Sequence, residues 1–121
     1  MISLLVVSDT GEPVRPFHRH LSAFGCEVRS AANGVEALDA LSRENYDAVV
    51  VAMSRGTNGV AREIVRAVRG AHRDQVVTVL LADNSPERER DLVESGATAV
   101  VGAPCTPGEF LTRLLTAMVK A

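Results

Sequence analysis

Five short apolar runs punctuate the chain at 2–7, 26–31, 48–53, 76–81 and 98–101. They are rich in valine and mostly continuous, the pattern of strands buried on both faces. The run at 26–31 differs, because Val28 stands among Glu27, Arg29 and Ser30. That mixture predicts an edge strand. A segment with helical spacing follows each run, so the order predicts strand and helix alternating five times.

Helix punctuation supports this rhythm. Val14, Phe17, Leu21 and Phe24 make one apolar face ahead of Gly25, which is placed as a C-terminal cap. Asn33 and Glu36 form a capping pair before Leu38 and Leu41. Val60, Ile64 and Val68 predict a third apolar stripe ending near Gly70. Ser85 and Pro86 open a fourth helix that Gly96 closes, and Thr106, Pro107 and Glu109 open a fifth carrying Phe110, Leu111, Leu114 and Met118. Alternation of this kind predicts an α/β fold, a parallel sheet covered on both faces by right-handed crossovers. Such a sheet binds ligands beyond the carboxyl ends of its strands, where strand order reverses. The positions to inspect are therefore Ser8 and Asp9, Ala52 to Ser54, Leu81 to Asp83, and Gly102 to Pro104.

Composition narrows the function. The 121 residues are 46% hydrophobic and 23% charged, which predicts one globular domain over 1–121 with a core needing no cofactor. Aromatic residues make up 3% and the formal net charge is −2, so neither a base-stacking platform nor a polyanion-attracting field is indicated, and no direct nucleic-acid binding is expected. Cys26 and Cys105 stand far apart with no CxxC unit, as in a reduced protein. The N-terminus has no basic n-region and no apolar stretch approaches a membrane span, so a cytoplasmic protein without membrane contact is expected.

Five pieces in order resemble the receiver domain of two-component response regulators, across essentially the whole chain. They are Leu5-Val6-Val7-Ser8-Asp9, Asn33-Gly34-Val35-Glu36-Ala37-Leu38, Tyr46-Asp47-Ala48-Val49-Val50-Val51, Glu94-Ser95-Gly96-Ala97, and Ala103-Pro104 with the helix behind it. The resemblance implies a flavodoxin-like (βα)5 doubly wound parallel sheet of five strands in the order 2-1-3-4-5. It also implies phosphoryl transfer from a histidine kinase to an aspartate ending the third strand, with Mg²⁺ held by acids ending the first.

This chain departs from that pattern at each working position. Ala52 occupies the phosphoacceptor position and has no nucleophile. Ser8 replaces one of the acid pair and leaves Asp9 alone, a poor Mg²⁺ site. Leu81 stands at the hydroxyl switch, Ala103 at the lysine before proline, and Val100 at the aromatic switch. The loop Arg55-Gly56-Thr57-Asn58-Gly59 lacks the family's proline and is one residue short. The set predicts a pseudo-receiver with a vestigial pocket at Ser8, Asp9, Ala52, Leu81 and Ala103, neither an enzyme nor a holder of metal or cofactor.

Other polar residues carry simpler readings. Asp47, at the opposite end of the third strand, is read as a solvated acid, and Ser54, Thr57 and Asp83 as solvated loop residues. Arg62, Arg66, Arg69 and Arg73 predict a basic stripe on an outer helix face, and His18 flanks the first helix's apolar stripe. The function expected is phosphorylation-independent protein–protein interaction in signal transduction, with a small-ligand sensor using the vestigial crevice as the alternative. The resemblance points to the surface of the fourth helix, fifth strand and fifth helix for a protein partner, an output domain or a homodimer. On that surface the sequence places Glu87, Arg88, Arg90, Asp91, Glu94, Val100, Thr112, Arg113 and Lys120.

Overall fold

In a computed structural model, the described residues are 2–8, 15–52, 58–81, 85–102 and 105–120. The strands are β1 (Ser3–Val7), β2 (Glu27–Ala31), β3 (Ala48–Val51), β4 (Val77–Leu81) and β5 (Ala99–Gly102). The helices are α1 (Arg15–Ala23), α2 (Gly34–Arg43), α3 (Asn58–Ala71), α4 (Pro86–Ser95) and α5 (Pro107–Lys120). All strand pairs are parallel and the order is β2-β1-β3-β4-β5, the flavodoxin-like arrangement expected from the sequence.

Alternate strand residues feed two apolar layers, because successive side chains leave opposite faces of a sheet. Leu5, Val7, Val49, Val51, Val77, Val79 and Leu81 pack with α2, α3 and α4. Leu4, Val6, Ala48, Val50 and Leu80 pack with Leu21 of α1 and with Phe110, Leu111 and Leu114 of α5. The second strand is the predicted edge, with Glu27, Arg29 and Ser30 exposed.

Helix ends obey the local chemistry in the sequence. Asn33 accepts from the Glu36 amide at 2.9 Å and donates to the Glu36 carboxylate at 3.3 Å. Thr106 and Glu109 reciprocate at 3.1 and 3.4 Å, and Ser85 caps the Arg88 amide at 3.2 Å. At the other ends, Gly25 and Gly96 have φ of 83° and 121°. Each turns its helix off with paired bonds: Cys26 to Leu21 with Gly25 to Ser22, and Ala97 to Leu92 with Gly96 to Val93. The flanking Leu21 and Cys26, like Leu92 and Ala97, are buried, which is the apolar contact this motif favours.

Two predicted stripes are corrected. Phe24 is 64% exposed, because the chain leaves α1 at Ala23; its ring lies beside His20, centroids 4.9 Å apart. Val60 is 43% exposed, and Ala61 and Val65 join Ile64 and Val68 on the buried face of α3. Val14 and the side chains of Phe17 and His18 lie outside the described residues. Asp47 is exposed as expected, yet its carboxylate accepts from the Ser3 amide at 2.7 Å while its own amide donates to the Ser3 carbonyl at 2.8 Å. It therefore helps set the register of β1 against β3.

Among the described residues, Thr78 Oγ1 is a buried side-chain oxygen without a hydrogen-bond partner. Leaving such a group unpaired costs more than omitting it. Thr78→Val should therefore leave stability unchanged or raise it by up to about 1 kcal/mol in urea unfolding. A loss above about 1 kcal/mol would show that the hydroxyl is satisfied.

Candidate functional site

Strand order reverses between β1 and β3: the chain leaves β1 to one side for β2, then returns to pair β3 on the other. Register brings Val7 opposite Val51, so the residues that follow, Ser8 and Ala52, lie together at the carboxyl ends. Backbone bonds carry each strand one step further, from the Ser8 amide to the Ala31 carbonyl at 3.0 Å and from the Ala52 amide to the Val7 carbonyl at 2.8 Å. Leu81 ends the next strand, opposite Gly102. The strand ends thus bring Ser8, Ala52 and Leu81 to one end of the sheet. Asp9, Ala103, Ser54, Thr57 and Asp83 fall outside the described residues.

Of the described side chains at that end, those of Ala52 and Leu81 are apolar. Ala52 is fully buried and packs in the α1/α5 layer, whereas Leu81, 3% exposed, packs in the α2–α4 layer. The two apolar side chains pack in opposite layers. Mg²⁺ takes oxygen ligands in near-octahedral geometry, and neither a methyl group nor an isobutyl group supplies one. Ala52 and Leu81 therefore offer that metal no ligand, and Asp9, the remaining acid of the pair, is outside the described residues. Among the described residues, no group of three or more His, Cys, Asp or Glu side chains is placed to hold a metal.

The predicted interaction face at α4 and α5 is largely exposed. Glu87, Arg88, Arg90 and Glu94 of α4 are exposed, as are Thr112 and Arg113 of α5; the Lys120 side chain is outside the described residues. Two of the predicted face residues are placed differently. Val100 is 5% exposed and packs in the α2–α4 layer, so it supports the face from beneath. Asp91 is half-buried and turns to α3, 3.3 Å from Arg62.

The structure adds residues that sequence reading passed over. Leu115 and Val119 of α5 are 38% and 86% exposed, and with Thr112 and Thr116 they line a shallow groove. A second groove, shared through Thr112, reaches the carboxyl end of β5 at Val101, Gly102 and Cys105. The signal was present: Leu115 and Val119 are spaced i, i+4 and fall out of phase with the core stripe of Phe110, Leu111, Leu114 and Ala117. Val93 of α4, 50% exposed, was missed for the same reason. Burial and then the Glu109 carboxylate push the Cys105 thiol above its ordinary value. Burial likewise raises the thiol of Cys26.

The predicted basic stripe is divided by its contacts. Arg62 pairs with Asp91, and Arg69 donates to the Gly96 carbonyl at 2.9 Å, while Arg66 and Arg73 are exposed. Arg73 lies beyond the end of α3 at Ala71. The stripe is therefore not a continuous anion-binding surface.

No protein-family model matches the chain. It is 32% identical over 114 residues to the response regulator MprA of Mycobacterium tuberculosis, spanning 93% of this chain and 49% of that protein. It is 30% identical over 112 residues to the transcriptional regulatory protein PrrA of Mycobacterium bovis, spanning 92% and 47%. The chain thus spans about half the length of these curated relatives. Among solved structures, the chemotaxis response regulator CheY4 of Vibrio cholerae superposes with a TM-score of 0.83 at 26% identity, over 97% of this chain and 98% of that one. The Francisella response regulator 1452 receiver domain gives 0.85 at 21% identity over 99% and 98%, a likeness of fold. No helix among the described residues is long and apolar enough to cross a membrane.

Placing a carboxylate at residue 52 tests its surroundings. Ala52→Asp should cost about 1–3 kcal/mol at neutral pH, since the charge is buried in an apolar layer. Burial raises that carboxyl's folded pKa above its unfolded value, so the deficit should be full above the folded pKa and shrink as pH falls toward about 4. Chemical unfolding at several pH values reads this; a deficit independent of pH would mean that the carboxylate reaches solvent.

Proposed function

The chain is a response-regulator receiver (CheY-like) domain, and from that premise we propose that it works through protein contacts, without phosphorylation at the position where receivers accept the phosphoryl group. The observation that carries this reading is the fully buried methyl group of Ala52 at the carboxyl end of the central β3 strand. An acyl phosphate needs a carboxylate to form on, and phosphoryl transfer depends on positioned charge. Leu81 offers no hydrogen-bond donor for the transferred group.

The partner surface in this reading is the α4–β5–α5 face. Its support is the second apolar stripe of α5, Leu115 and Val119, on the side of the helix away from the core. Glu87, Arg90 and Glu94 on α4 and Arg113 on α5 provide charge of both signs around it, suited to a specific interface of modest strength. An output domain, a separate signalling protein or a second copy of the chain are the partners such a face would take.

Two measurements test the reading. Incubation with Mg²⁺ and acetyl phosphate should leave the intact mass unchanged; a hydroxylamine-labile gain of one phosphoryl group would overturn it. For the surface, Arg90→Glu combined with Arg113→Glu should weaken self-association or partner binding roughly ten-fold in sedimentation velocity. Arg43→Glu on α2 should leave association as it is, and equal losses from both changes would place the interface elsewhere.

A further inference from the structure

The fourth helix, Pro-Glu-Arg-Glu-Arg-Asp-Leu-Val-Glu-Ser, has one buried residue, Leu92. Ten residues are too few for a helix to persist on its own, and one leucine is a thin apolar anchor. Much of what ties α4 to the body comes from α3. Arg62 Nη1 lies 3.3 Å from Asp91 Oδ2, across two half-exposed side chains. Seven residues further along α3, Arg69 Nε donates to the Gly96 carbonyl at 2.9 Å and Nη2 to Thr98 Oγ1 at 3.3 Å. Its Nη1 donates to the carbonyls of His72, at 3.3 Å, and Arg73.

One guanidinium therefore meets the carboxyl ends of two helices at once. The Gly96 carbonyl belongs to the C-cap of α4, and those of His72 and Arg73 lie just past α3, at a helix end where carbonyls carry partial negative charge; the His72 carbonyl also accepts from the Gln75 amide at 3.3 Å. Its third contact, Thr98, is itself fixed to the sheet by accepting from the Val77 amide at 3.1 Å. Room for the crossing is made by Gly96: a Cβ there would lie 2.8 Å from Arg69 Cγ. The same glycine holds a φ of 121°, so it both ends α4 and lets Arg69 pass over it.

We propose that Arg69, seconded by the Arg62–Asp91 pair, is a latch that sets the position of α4 from α3, making α4 a separately releasable unit of the fold. A planar fork serves this role because it reaches several acceptors in fixed directions, which an ammonium group does not. The consequence for partners rests on the α4–β5–α5 reading: the shape of that surface would be held by α3 independently of what happens at the carboxyl ends of β1 and β3. The latch itself does not depend on that reading.

Amide hydrogen exchange of the whole chain, followed by mass spectrometry, separates the two ideas. In Arg69→Ala, amides of 86–97 should exchange on the order of ten-fold faster than in wild type, while those of α2 and α5 keep their rates. Arg69→Lys preserves the charge and removes the fork, and should give an intermediate acceleration confined to the same segment. Arg62→Gln should act in the same direction more weakly, since half-exposed ion pairs contribute little. Unchanged exchange in α4, or equal acceleration of every helix, would overturn the latch. Loss of association in the α5 surface variants bears on the partner face alone, so each idea can fail without the other.

Discussion

Burial of both faces of one parallel sheet is the constraint on which the remaining features depend. Residues 4–7, 48–51 and 77–81 must be inaccessible whichever way they point, and each is at most 4% exposed. That requirement accounts for valine and leucine at consecutive positions, for helices on both sides, and for confining polar variation to strand ends and helix backs. It also explains why Asp47 matters: a carboxylate at the amino end of β3, bonded to the Ser3 amide, fixes β1 against β3 where a slip of one residue would exchange the two layers.

The same constraint shapes the site. In an open parallel sheet the strand ends at the order reversal are where a ligand is normally met. Here the sheet's apolar packing runs out to those ends through Ala52 and Leu81, one into each layer. The proposed contact surface is at α4 and α5, at the side of the sheet where β5 is an edge. Alpha-helix 5 presents two apolar aspects, the core stripe through Phe110 and Leu114 and the outer pair Leu115 and Val119.

Polar contacts do different work on the two flanks of α3 and α4. Capping at Asn33, Ser85 and Thr106 is local, each residue satisfying an amide three positions on. Arg69 is the opposite case, a side chain whose acceptors lie at the cap of α4, just ahead of β5 and past the end of its own helix. Local caps start helices, whereas the arginine relates one helix to another.

Sequence alone determined the features whose causes are local or periodic. Alternation of apolar runs with capped helical segments implied the parallel sheet, and Val28 among polar neighbours marked the edge strand, because burial on one or two faces leaves its period in the chain. Capping at Asn33, Ser85 and Thr106, and the turns at Gly25 and Gly96, were legible because each uses residues within a few positions of one another. The apolar run also set Ala52 at the end of the third strand, where the structure has it buried directly after β3. Only the tertiary structure decided which apolar residues remain outside, as with Phe24, Val60, Leu115 and Val119, since side-chain type does not say whether another element arrives to cover it. It likewise moved Val100 beneath the face, turned Asp91 toward Arg62, and divided an apparently uniform row of arginines into bound and exposed members. Those outcomes depend on partners distant in the chain, such as Arg69 and Gly96, whose meeting is set by how helices pack on the sheet and leaves no period to read.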